Sequence, residues 1–311
     1  MPSEQDTPIA RPYLPFPAEQ SLVAPGLFRD VSISCFMLKA DYQAQYNLCQ
    51  TYLNGPAQGQ TSYSPFGLVL LAFAHFGSVA SAEPDWGTIS YTDVAFWVPL
   101  ANASTAPIAL FPPYIFVDSP AALITGREAF GLPKQLGRFQ MPISLADASA
   151  GERGRFRAEV VGTLTAGGAN DWRTIATVEP VAGGVRGDAA KVISVIERMV
   201  APGSLPGPGG LAELLARLAV VPVLGLKQFR DIESPESACY QAIVEAPVRF
   251  VETLGPPDIV FDGFDLRLMD LDSHPVAATL GIQPGTQRIP LAFHLRAAMR
   301  MDAGTLVWRA S

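Results

Sequence analysis

Residues 119–137 have the sequence SPAALITGREAFGLPKQLG, which predicts a short helix followed at once by a lysine. Ser119 is a suitable N-cap, and the proline after it suits the first helical position, where its missing N–H is no loss. Gly131 and Pro133 end the helix, because glycine is a common C-terminal cap and proline cannot continue helical hydrogen bonding. Lys134 is therefore expected just beyond the C-terminus of a helix.

Lys134 differs from most cations of this chain in type and in surroundings. The chain has four lysines and eighteen arginines, and the neighbours of Lys134 include the apolar Phe130, Leu132 and Leu136. Unlike arginine, a lysine can lose its proton and attack a carbonyl carbon. Burial lowers a lysine pKa from about 10.4 by up to roughly 3–5 units, and the neutral amine forms a Schiff base with a ketone or keto acid. Lys134 is therefore a candidate nucleophile; the alternative is a surface lysine that binds the helix carbonyls.

The rest of the chain is dominated by strand patterns. Segment 154–180 predicts a hairpin, since apolar residues alternate with arginine and glutamate before a loop rich in Gly, Asn and Asp. No strand is followed by a Gly-rich phosphate loop and a helix. The predicted fold class is α+β, with mainly antiparallel sheet and helices on its outside. The other predicted strands span 31–39, 67–76, 88–100, 238–250 and 258–271, and the other predicted helices span 41–55, 188–200 and 209–220.

Composition and charge exclude several kinds of partner. Hydrophobic residues make up 49% of the chain and charged residues 16%, which is typical of a globular protein with a sizeable core. The net charge of −7 and the few lysines argue against nucleic-acid binding. No apolar run is long enough to span a bilayer, and the N-terminus has no apolar targeting segment. With three cysteines and no CxxC spacing, a cytoplasmic protein that does not bind membranes is expected.

Metal and nucleophilic-serine sites are not predicted. His75, His274 and His294 are far apart in the sequence, and none has a second ligand within a few residues. The chain has no HExxH, paired CxxC or GxSxG motif. Lys134 therefore remains the residue with the most distinctive chemistry.

The stretch 119–137 resembles the signature of the acetoacetate decarboxylase superfamily, in which G-R-E is followed by a short apolar segment and P-K-K-L-G. The upstream YTDVAFWVP, residues 91–99, is similar to the Y-T-E segment of that family. The resemblance covers roughly residues 65–280 and is strongest at 119–137. It implies a cone-like, mainly antiparallel β-barrel or sheet with flanking helices, and a homo-oligomer. It also implies that no external cofactor is needed, because the lysine iminium itself accepts the electrons.

We expect residues 1–311 to form one domain of this kind, with a helical insertion at about 187–219. The two helices of the insertion are joined by the linker APGSLPGPGG. Each has an apolar face, so we hypothesise that the insertion covers the mouth of a pocket or forms a subunit contact. The residues beyond 280 are likewise expected to be an addition to the smaller family members.

The resemblance also implies roles for individual residues. Lys134 matches the Schiff-base lysine, and Asp93 matches an active-site glutamate that is one methylene longer. Arg127 and Glu128 match the pair in G-R-E, which lies near the lysine and orients its loop. Asp93 and Glu128 are the candidates for proton transfer, and an ion pair without a catalytic role is the alternative for each.

Further residues are candidates for contacts with the substrate. Tyr91, Tyr114 and Leu132 are expected to line the pocket, with core packing as the alternative for the two tyrosines. Gln135 occupies the position of the second lysine of the decarboxylases and is expected to hydrogen-bond the substrate. Arg127 is a further candidate for substrate binding.

The glutamine at position 135 favours one of two reactions. Without a second cation, the pKa of Lys134 has to be lowered by burial, and the pocket is less favourable for a β-keto carboxylate. Relatives without the second lysine resemble aldolase-dehydratases, which condense a keto acid such as pyruvate with an aldehyde and remove water. The sequence therefore favours such a lyase, acting on a small 2-keto acid. Acetoacetate decarboxylation is the first alternative, and a non-catalytic β-barrel that binds a small apolar ligand is the second.

Overall fold

In the computed structural model the described residues are 12–14, 20–82, 87–102, 108–149, 154–162, 171–187, 189–199 and 220–310. These residues form one sheet of fourteen strands with four helices packed around it. The strands are β1 (Gly26–Lys39), β2 (Tyr63–Pro65), β3 (Leu68–Ser81), β4 (Ile89–Asn102), β5 (Ala109–Val117), β6 (Lys134–Gln140), β7 (Phe156–Val161), β8 (Trp172–Pro180), β9 (Val185–Arg186), β10 (Val220–Arg230), β11 (Ala238–Thr253), β12 (Asp258–Leu268), β13 (Gly285–Met301) and β14 (Thr305–Arg309). The helices are α1 (Tyr42–Cys49), which continues as the π-helical turn Gln50–Asn54, α2 (Pro120–Phe130), α3 (Ala189–Met199) and α4 (Val276–Leu280). Within the described ranges, none of these helices has the length and hydrophobicity needed to cross a bilayer.

The strand pairings are mainly antiparallel and close on themselves. Strand β5 pairs in parallel with β6 and with β10, whereas the other pairs between described strands are antiparallel. One circuit runs β5–β6–β7–β8–β12–β13–β1–β3–β4 and returns to β5. A second runs β5–β10–β11–β13–β1–β3–β4 and also returns to β5. Strands β13, β1, β3, β4 and β5 are therefore common to both circuits.

Of the strands that both circuits share, β3, β4 and β5 are largely buried on both faces, which explains their mainly apolar sequences. On one face, Phe36, Phe73 and Phe96 belong to a large core cluster. On the other face, Ala74 and Ala95 belong to a second cluster. Successive side chains of a strand point to opposite faces, so Phe73 and Ala74 contribute to different clusters although they are neighbours in sequence.

Helix α2 begins and ends where the sequence predicts. The Ser119 hydroxyl accepts a hydrogen bond from the Ala122 N–H at 3.4 Å, and the proline between them is the first helical residue. Gly131 caps the C-terminus with a φ of 64°, a left-handed conformation that costs glycine little. A side chain at Gly131 would also overlap the backbone of Lys227 in β10. The helix therefore ends at a defined place, and Lys134 begins β6 shortly after it.

The predicted fold class, α+β with a mainly antiparallel sheet, is confirmed. The hairpin at 154–180 is present as β7 paired with β8. Helix α3 lies within the predicted insertion and packs Val195 and Ile196 in a third cluster with Phe261 of β12. The second predicted helix, at 209–220, lies outside the described residues except for its last residue, which begins β10. The role of the insertion stays a prediction.

The residues beyond 280 are an integral part of the sheet, and their being an addition to the smaller family members stays a prediction. Strand β13 pairs with β1, β12 and β11, so it belongs to both circuits and its removal would open them. Its sequence, GTQRIPLAFHLRAAMRM, mixes three arginines with apolar residues. Two of these arginines form ion pairs, Arg288 with Asp265 and Arg300 with Asp302, and their side chains stay about half exposed, so their charges are not buried in the sheet.

Candidate active site

A cavity of about 260 Å³ adjoins the second core cluster and is lined almost entirely by apolar side chains. Its walls come from the strands shared by the two circuits, from β10 and β11, and from α2. Residues Leu22–Ala24 add a further wall, and the Leu22 N–H donates to Thr125 Oγ1 of α2 at 2.9 Å. Among the described lining residues, Lys134 and Asp93 carry the only charged side chains.

Lys134 begins β6 with its side chain in the cavity. In the parallel register it is paired with Ile115 of β5, which also lines the cavity. Lys134 is 7% exposed. Its aliphatic part packs on Gly126 of α2, where a Cβ would fall 2.5 Å from Lys134 Cδ. The amine lies 5.0 Å from the centre of the Tyr91 ring. The glycine of the GRE segment therefore leaves the space that the lysine side chain occupies.

Asp93 of β4 faces the same cavity, with its Oδ2 4.0 Å from the Lys134 amine. Burial raises the pKa of Asp93 to about 6; the Lys134 charge acts against this rise, and the nearby Asp118 adds to it. Asp93 can therefore hold or release a proton at pH values close to neutral, which a proton-transfer group requires.

Burial also shifts the pKa values of Lys134 and Tyr91. Burial lowers the pKa of Lys134 from its ordinary value, and the Asp93 carboxylate partly offsets this effect. Burial, followed by the charges of Asp93 and Asp118, raises the pKa of Tyr91 well above its usual range. Its phenol stays protonated and is able to donate a hydrogen bond. The cavity thus combines an amine whose pKa is lowered with a carboxyl whose pKa is raised, which suits nucleophilic attack and proton transfer.

The Arg–Glu pair of the GRE segment lies outside the cavity, with both side chains exposed. Arg127 donates from Nη1 to the Lys134 carbonyl oxygen at 3.3 Å, so it supports the backbone of the lysine and does not line the cavity. Glu128 lies near Lys227, whose pKa is lowered by burial and raised in part by this carboxylate. The predicted proton-transfer role of Glu128 is therefore corrected, because α2 turns Gly126 toward the cavity and Glu128 toward solvent.

Gln135 and Tyr114 lie on the opposite face of β5 and β6 from the cavity. Gln135 is paired with Phe116, which belongs to the first core cluster, and adjacent strand residues face opposite sides. Gln135 Oε1 lies 3.0 Å from His274 Nε2, and the Tyr114 hydroxyl lies 3.0 Å from Thr279 Oγ1. Neither side chain lines the cavity. The predicted substrate contacts of both are therefore corrected to contacts with α4 and the residues just before it.

Replacing Gln135 with alanine is expected to leave kcat/KM within about threefold of wild type and to lower the free energy of unfolding by about 1–3 kcal/mol. The loss of stability follows because His274, 2% exposed, would lose the partner of its Nε2. Steady-state kinetics and denaturant unfolding measure the two effects. Gln241→Ala removes a glutamine from an exposed pair with Gln228 and is the control. A raised KM with unchanged stability would return Gln135 to the substrate site.

The variant Gly126→Ala is expected to lower kcat/KM by about a hundredfold, because a displacement of the amine by about 1 Å is enough for such a loss. The added methyl carbon would lie 2.5 and 2.7 Å from Lys134 Cδ and Cε, so the lysine side chain has to move. Stability should change little, since alanine favours the helix by about 0.5–1 kcal/mol. Gly162→Ala, with 3.8 Å to the nearest atom, is the control. Unchanged kinetics for Gly126→Ala would mean that this contact does not place the amine.

The sequence predicted the cavity residues near Lys134 better than those of the more distant walls. Tyr91 and Leu132 line the cavity as expected. Phe28, Phe250 and Met299, on β1, β11 and β13, also line it and were missed. These residues are far apart in the chain, and no local pattern distinguishes them from ordinary core residues.

The described residues contain no group of three or more His, Cys, Asp or Glu side chains placed to hold a metal ion. Each histidine has a partner within the protein: His75 Nδ1 lies 3.2 Å from Thr92 Oγ1, and His294 Nδ1 lies 2.9 Å from Ser34 Oγ. The third, His274, is held by Gln135 as described.

Comparison with known families links this geometry to one of them. The family model described as acetoacetate decarboxylase matches residues 15–182, which is more than half of the chain and includes Asp93 and Lys134. No curated protein matches the chain.

Solved structures with a similar fold include enzymes of two kinds. The acetoacetate decarboxylase of Legionella pneumophila subsp. pneumophila str. Philadelphia 1 aligns with a TM-score of 0.61 and 15% identity, over 98% of this chain and 94% of that one. The enduracididine biosynthesis enzyme MppR, complexed with the condensation product of pyruvate and imidazole 4-carboxaldehyde, aligns with a TM-score of 0.57 and 16% identity, over 93% and 92%. An acetoacetate decarboxylase-like enzyme from Sphingomonas wittichii RW1 aligns with a TM-score of 0.53 and 14% identity, over 93% of each chain. At these identities the similarity shows a shared fold.

Proposed function

The chain belongs to the acetoacetate decarboxylase family, and from this premise we propose that it is a lyase that forms a Schiff base on Lys134. The observation that carries the proposal is the burial of the Lys134 amine in an apolar cavity, with the Asp93 carboxylate 4.0 Å away. Burial keeps more of the amine neutral and therefore nucleophilic. A lysine that only caps a helix would have no need of a cavity or of a buried acid beside it.

Decarboxylation of a β-keto acid is the Schiff-base reaction that fits the cavity best. Lys134 is the one cation on its described lining. A 2-keto acid such as pyruvate keeps its carboxylate throughout an aldol condensation, and a buried carboxylate without a partner is costly. A β-keto acid loses its carboxylate as CO₂. Apolar walls favour this step, because the carboxylate charge disappears as the reaction proceeds.

The structure removes the argument for aldol condensation that was based on the sequence. That reason was the replacement of a second lysine by Gln135. Since Gln135 faces His274, a cation at this position would point away from the cavity. The missing second lysine therefore has little bearing on the charge around the substrate.

The proposed reaction begins when the neutral Lys134 amine adds to the ketone carbon, and loss of water leaves an iminium. The bond between the α-carbon and the carboxylate then breaks. Its electrons move to the iminium nitrogen, and CO₂ leaves an enamine. A proton added at the α-carbon regenerates an iminium, which water hydrolyses to the ketone product and the free amine. The reaction as a whole consumes one proton and needs no external cofactor.

Asp93 is the group to which we assign proton transfer in this sequence of steps. It faces the cavity within 4.0 Å of the amine, and burial raises its pKa to about 6. Its protonated form can give a proton to the enamine carbon, and its ionised form can accept one during the formation of the iminium. Tyr91, whose ring lies 5.0 Å from the amine, adds a hydrogen-bond donor in the same place.

Aldol condensation followed by dehydration is the second candidate function. It is favoured by the structural similarity to MppR, which is complexed with a pyruvate condensation product, although that enzyme is only 16% identical. The same lysine and acid would serve this reaction, because the enamine attacks an aldehyde instead of taking a proton.

Reductive trapping separates these functions. The protein is incubated with acetoacetate or with pyruvate, reduced with borohydride and digested, and the added mass is located by peptide mass spectrometry. Release of CO₂ from acetoacetate with an adduct on Lys134 supports decarboxylation. A pyruvate adduct without release of CO₂ from acetoacetate supports the aldolase-dehydratase. No adduct from either compound contradicts the Schiff base and leaves binding of an apolar ligand as the function.

A further inference from the structure

We propose that the natural substrate is a β-keto acid whose ketone carries an apolar group of several carbons, an alkyl chain or a ring, in place of the methyl group of acetoacetate. This inference rests on the proposed function, because it assigns the substrate class of the same cavity.

The cavity has more room than a small keto acid needs. Its volume is about 260 Å³. A protein cavity of about 150 Å³ binds benzene, so in proportion this cavity holds about ten non-hydrogen atoms. Acetoacetate and pyruvate would fill only part of it. The remaining space would have to hold water against apolar walls.

The cavity offers few partners for such water or for a polar substituent. The side chains on its described lining that can hydrogen-bond are Lys134, Asp93, Tyr91, Thr125, Trp97 and Cys35. Lys134 carries the amine, and Asp93 and Tyr91 lie beside it. The Thr125 hydroxyl already accepts the Leu22 N–H. Away from the amine, a polar group on the substrate would therefore lose its hydration and find only the Trp97 N–H, the Thr125 O–H and the Cys35 thiol as partners. An apolar group, in contrast, gains from the same walls.

The apolar wall extends from the reacting pair across the sheet. Asp93 of β4 is paired with Ala74 of β3, and Ala74 is paired with Ile33 of β1. Ile33 is paired in turn with Leu295 of β13, and all four residues line the cavity. Neighbouring strands are about 4.8 Å apart, so this row provides an apolar surface of about 14 Å beginning at Asp93. A chain attached to the ketone can lie along it.

A second row contributes the largest side chains of the wall. Val79 of β3 is paired with Phe28 of β1, and Phe28 is paired with Met299 of β13. Met299 is also paired with Phe250 of β11, and these residues too line the cavity. Three of the four side chains are large. Their size sets the length of chain that the cavity accepts, so we infer that Met299 is a specificity-determining residue.

The test is the rate of CO₂ release from straight-chain β-keto acids of increasing length, starting from acetoacetate. We expect kcat/KM to rise about fourfold for each added CH₂ until the cavity is full, and then to fall. A matched pair tests polarity at constant length. 3-Oxohexanedioate, which ends in a second carboxylate, should react at least about a hundredfold more slowly than 3-oxohexanoate, because the wall has no cation to bind that carboxylate.

Two variants should shift the chain length with the highest kcat/KM in opposite directions. Met299→Ala enlarges the cavity and should shift the preferred chain toward longer acids by about two or three CH₂ groups. Ala72→Leu, which fills space at a small lining residue, should shift it toward shorter acids by a similar number. Met37→Ala is the control: Met37 is as buried as Met299 but packs in the third cluster, so it should leave the chain-length profile unchanged.

The outcomes distinguish this inference from the proposed function. A profile that is flat or falls with chain length, while Lys134 is still trapped by acetoacetate, overturns the substrate class and leaves the Schiff base intact. Equal rates for the two six-carbon acids overturn it as well. If no acid of the series releases CO₂ or gives an adduct, the proposed function fails and the inference fails with it.

Discussion

Replacing Lys134 with alanine is expected to lower kcat/KM for a β-keto acid by on the order of 10⁴-fold and to abolish the trapped adduct. No other lysine is found on the described cavity lining, so no neighbouring amine can take over the attack on the ketone. Initial-rate measurements of CO₂ release and peptide mass spectrometry after borohydride reduction check the two parts. The variant also removes the packing of the lysine methylenes on Gly126, but it should still fold, because the side chain borders a cavity and its amine is buried at a cost.

Two further variants show whether the amine itself is required. Lys134→Arg keeps a positive charge but cannot form a Schiff base, so it should be as inactive as the alanine variant. Lys227→Ala removes a half-buried lysine that does not line the cavity and should retain both rate and adduct. Activity in Lys134→Arg above about a tenth of wild type would show that charge, and not covalent chemistry, drives the reaction.

The second large effect is expected for Asp93→Asn, which should lower kcat by about 10²–10⁴-fold while the adduct on Lys134 still forms. The amide cannot give or take the proton that the enamine step needs. Since the Asp93 carboxylate raises the pKa of Lys134, its removal should lower that pKa further and keep the amine reactive. Trapping with unchanged yield and turnover that is nearly lost would separate formation of the Schiff base from proton transfer.

The pH dependence of kcat gives an independent check of Asp93. Its pKa is raised to about 6, so its carboxyl is protonated below that pH and ionised above it. If the protonated form supplies the enamine carbon, wild-type kcat should decrease as the pH rises through about 6, and the Asp93→Asn variant should lose this dependence. Asp93→Glu, which keeps a carboxyl in the cavity, should keep the dependence with a lower rate. An unchanged alkaline limb in Asp93→Asn would assign the titration to another group.

Local sequence was sufficient to predict the part of the site that lies within residues 119–137. Helix α2 begins after Ser119 and ends at Gly131, as predicted. These ends can be predicted from local sequence because capping residues interact with the backbone of the few residues next to them. The surroundings of Lys134 were predicted only in part. Leu132 is buried, whereas Leu136, equally apolar, is 43% exposed. An apolar neighbour in sequence, even one on the same strand face as Lys134, is therefore not by itself a sign of burial.

The residues that the sequence placed wrongly are those whose side-chain direction depends on strand alternation or on helical phase. Gln135 directly follows Lys134, and its register with Phe116 sends it to the opposite face. Glu128 belongs to the same GRE segment as Gly126, but the helix turns the two in different directions. Motif resemblance assigns residues to positions in a chain, and only their pairing and helical phase assign them to a cavity.

The sequence by itself determined that this chain forms an α+β protein with a mainly antiparallel sheet, that a capped helix ends just before Lys134, and that this lysine is the candidate nucleophile. Each of these depends on local periodicity, capping or a continuous motif. The tertiary structure alone decided that Asp93 lies 4.0 Å from the amine, and that Gln135 and Tyr114 do not line the cavity. It also decided that Phe28, Phe250 and Met299 shape an apolar cavity. These features arise where strands distant in sequence are paired in one register, and the free energy that selects this register comes from burial over the whole sheet.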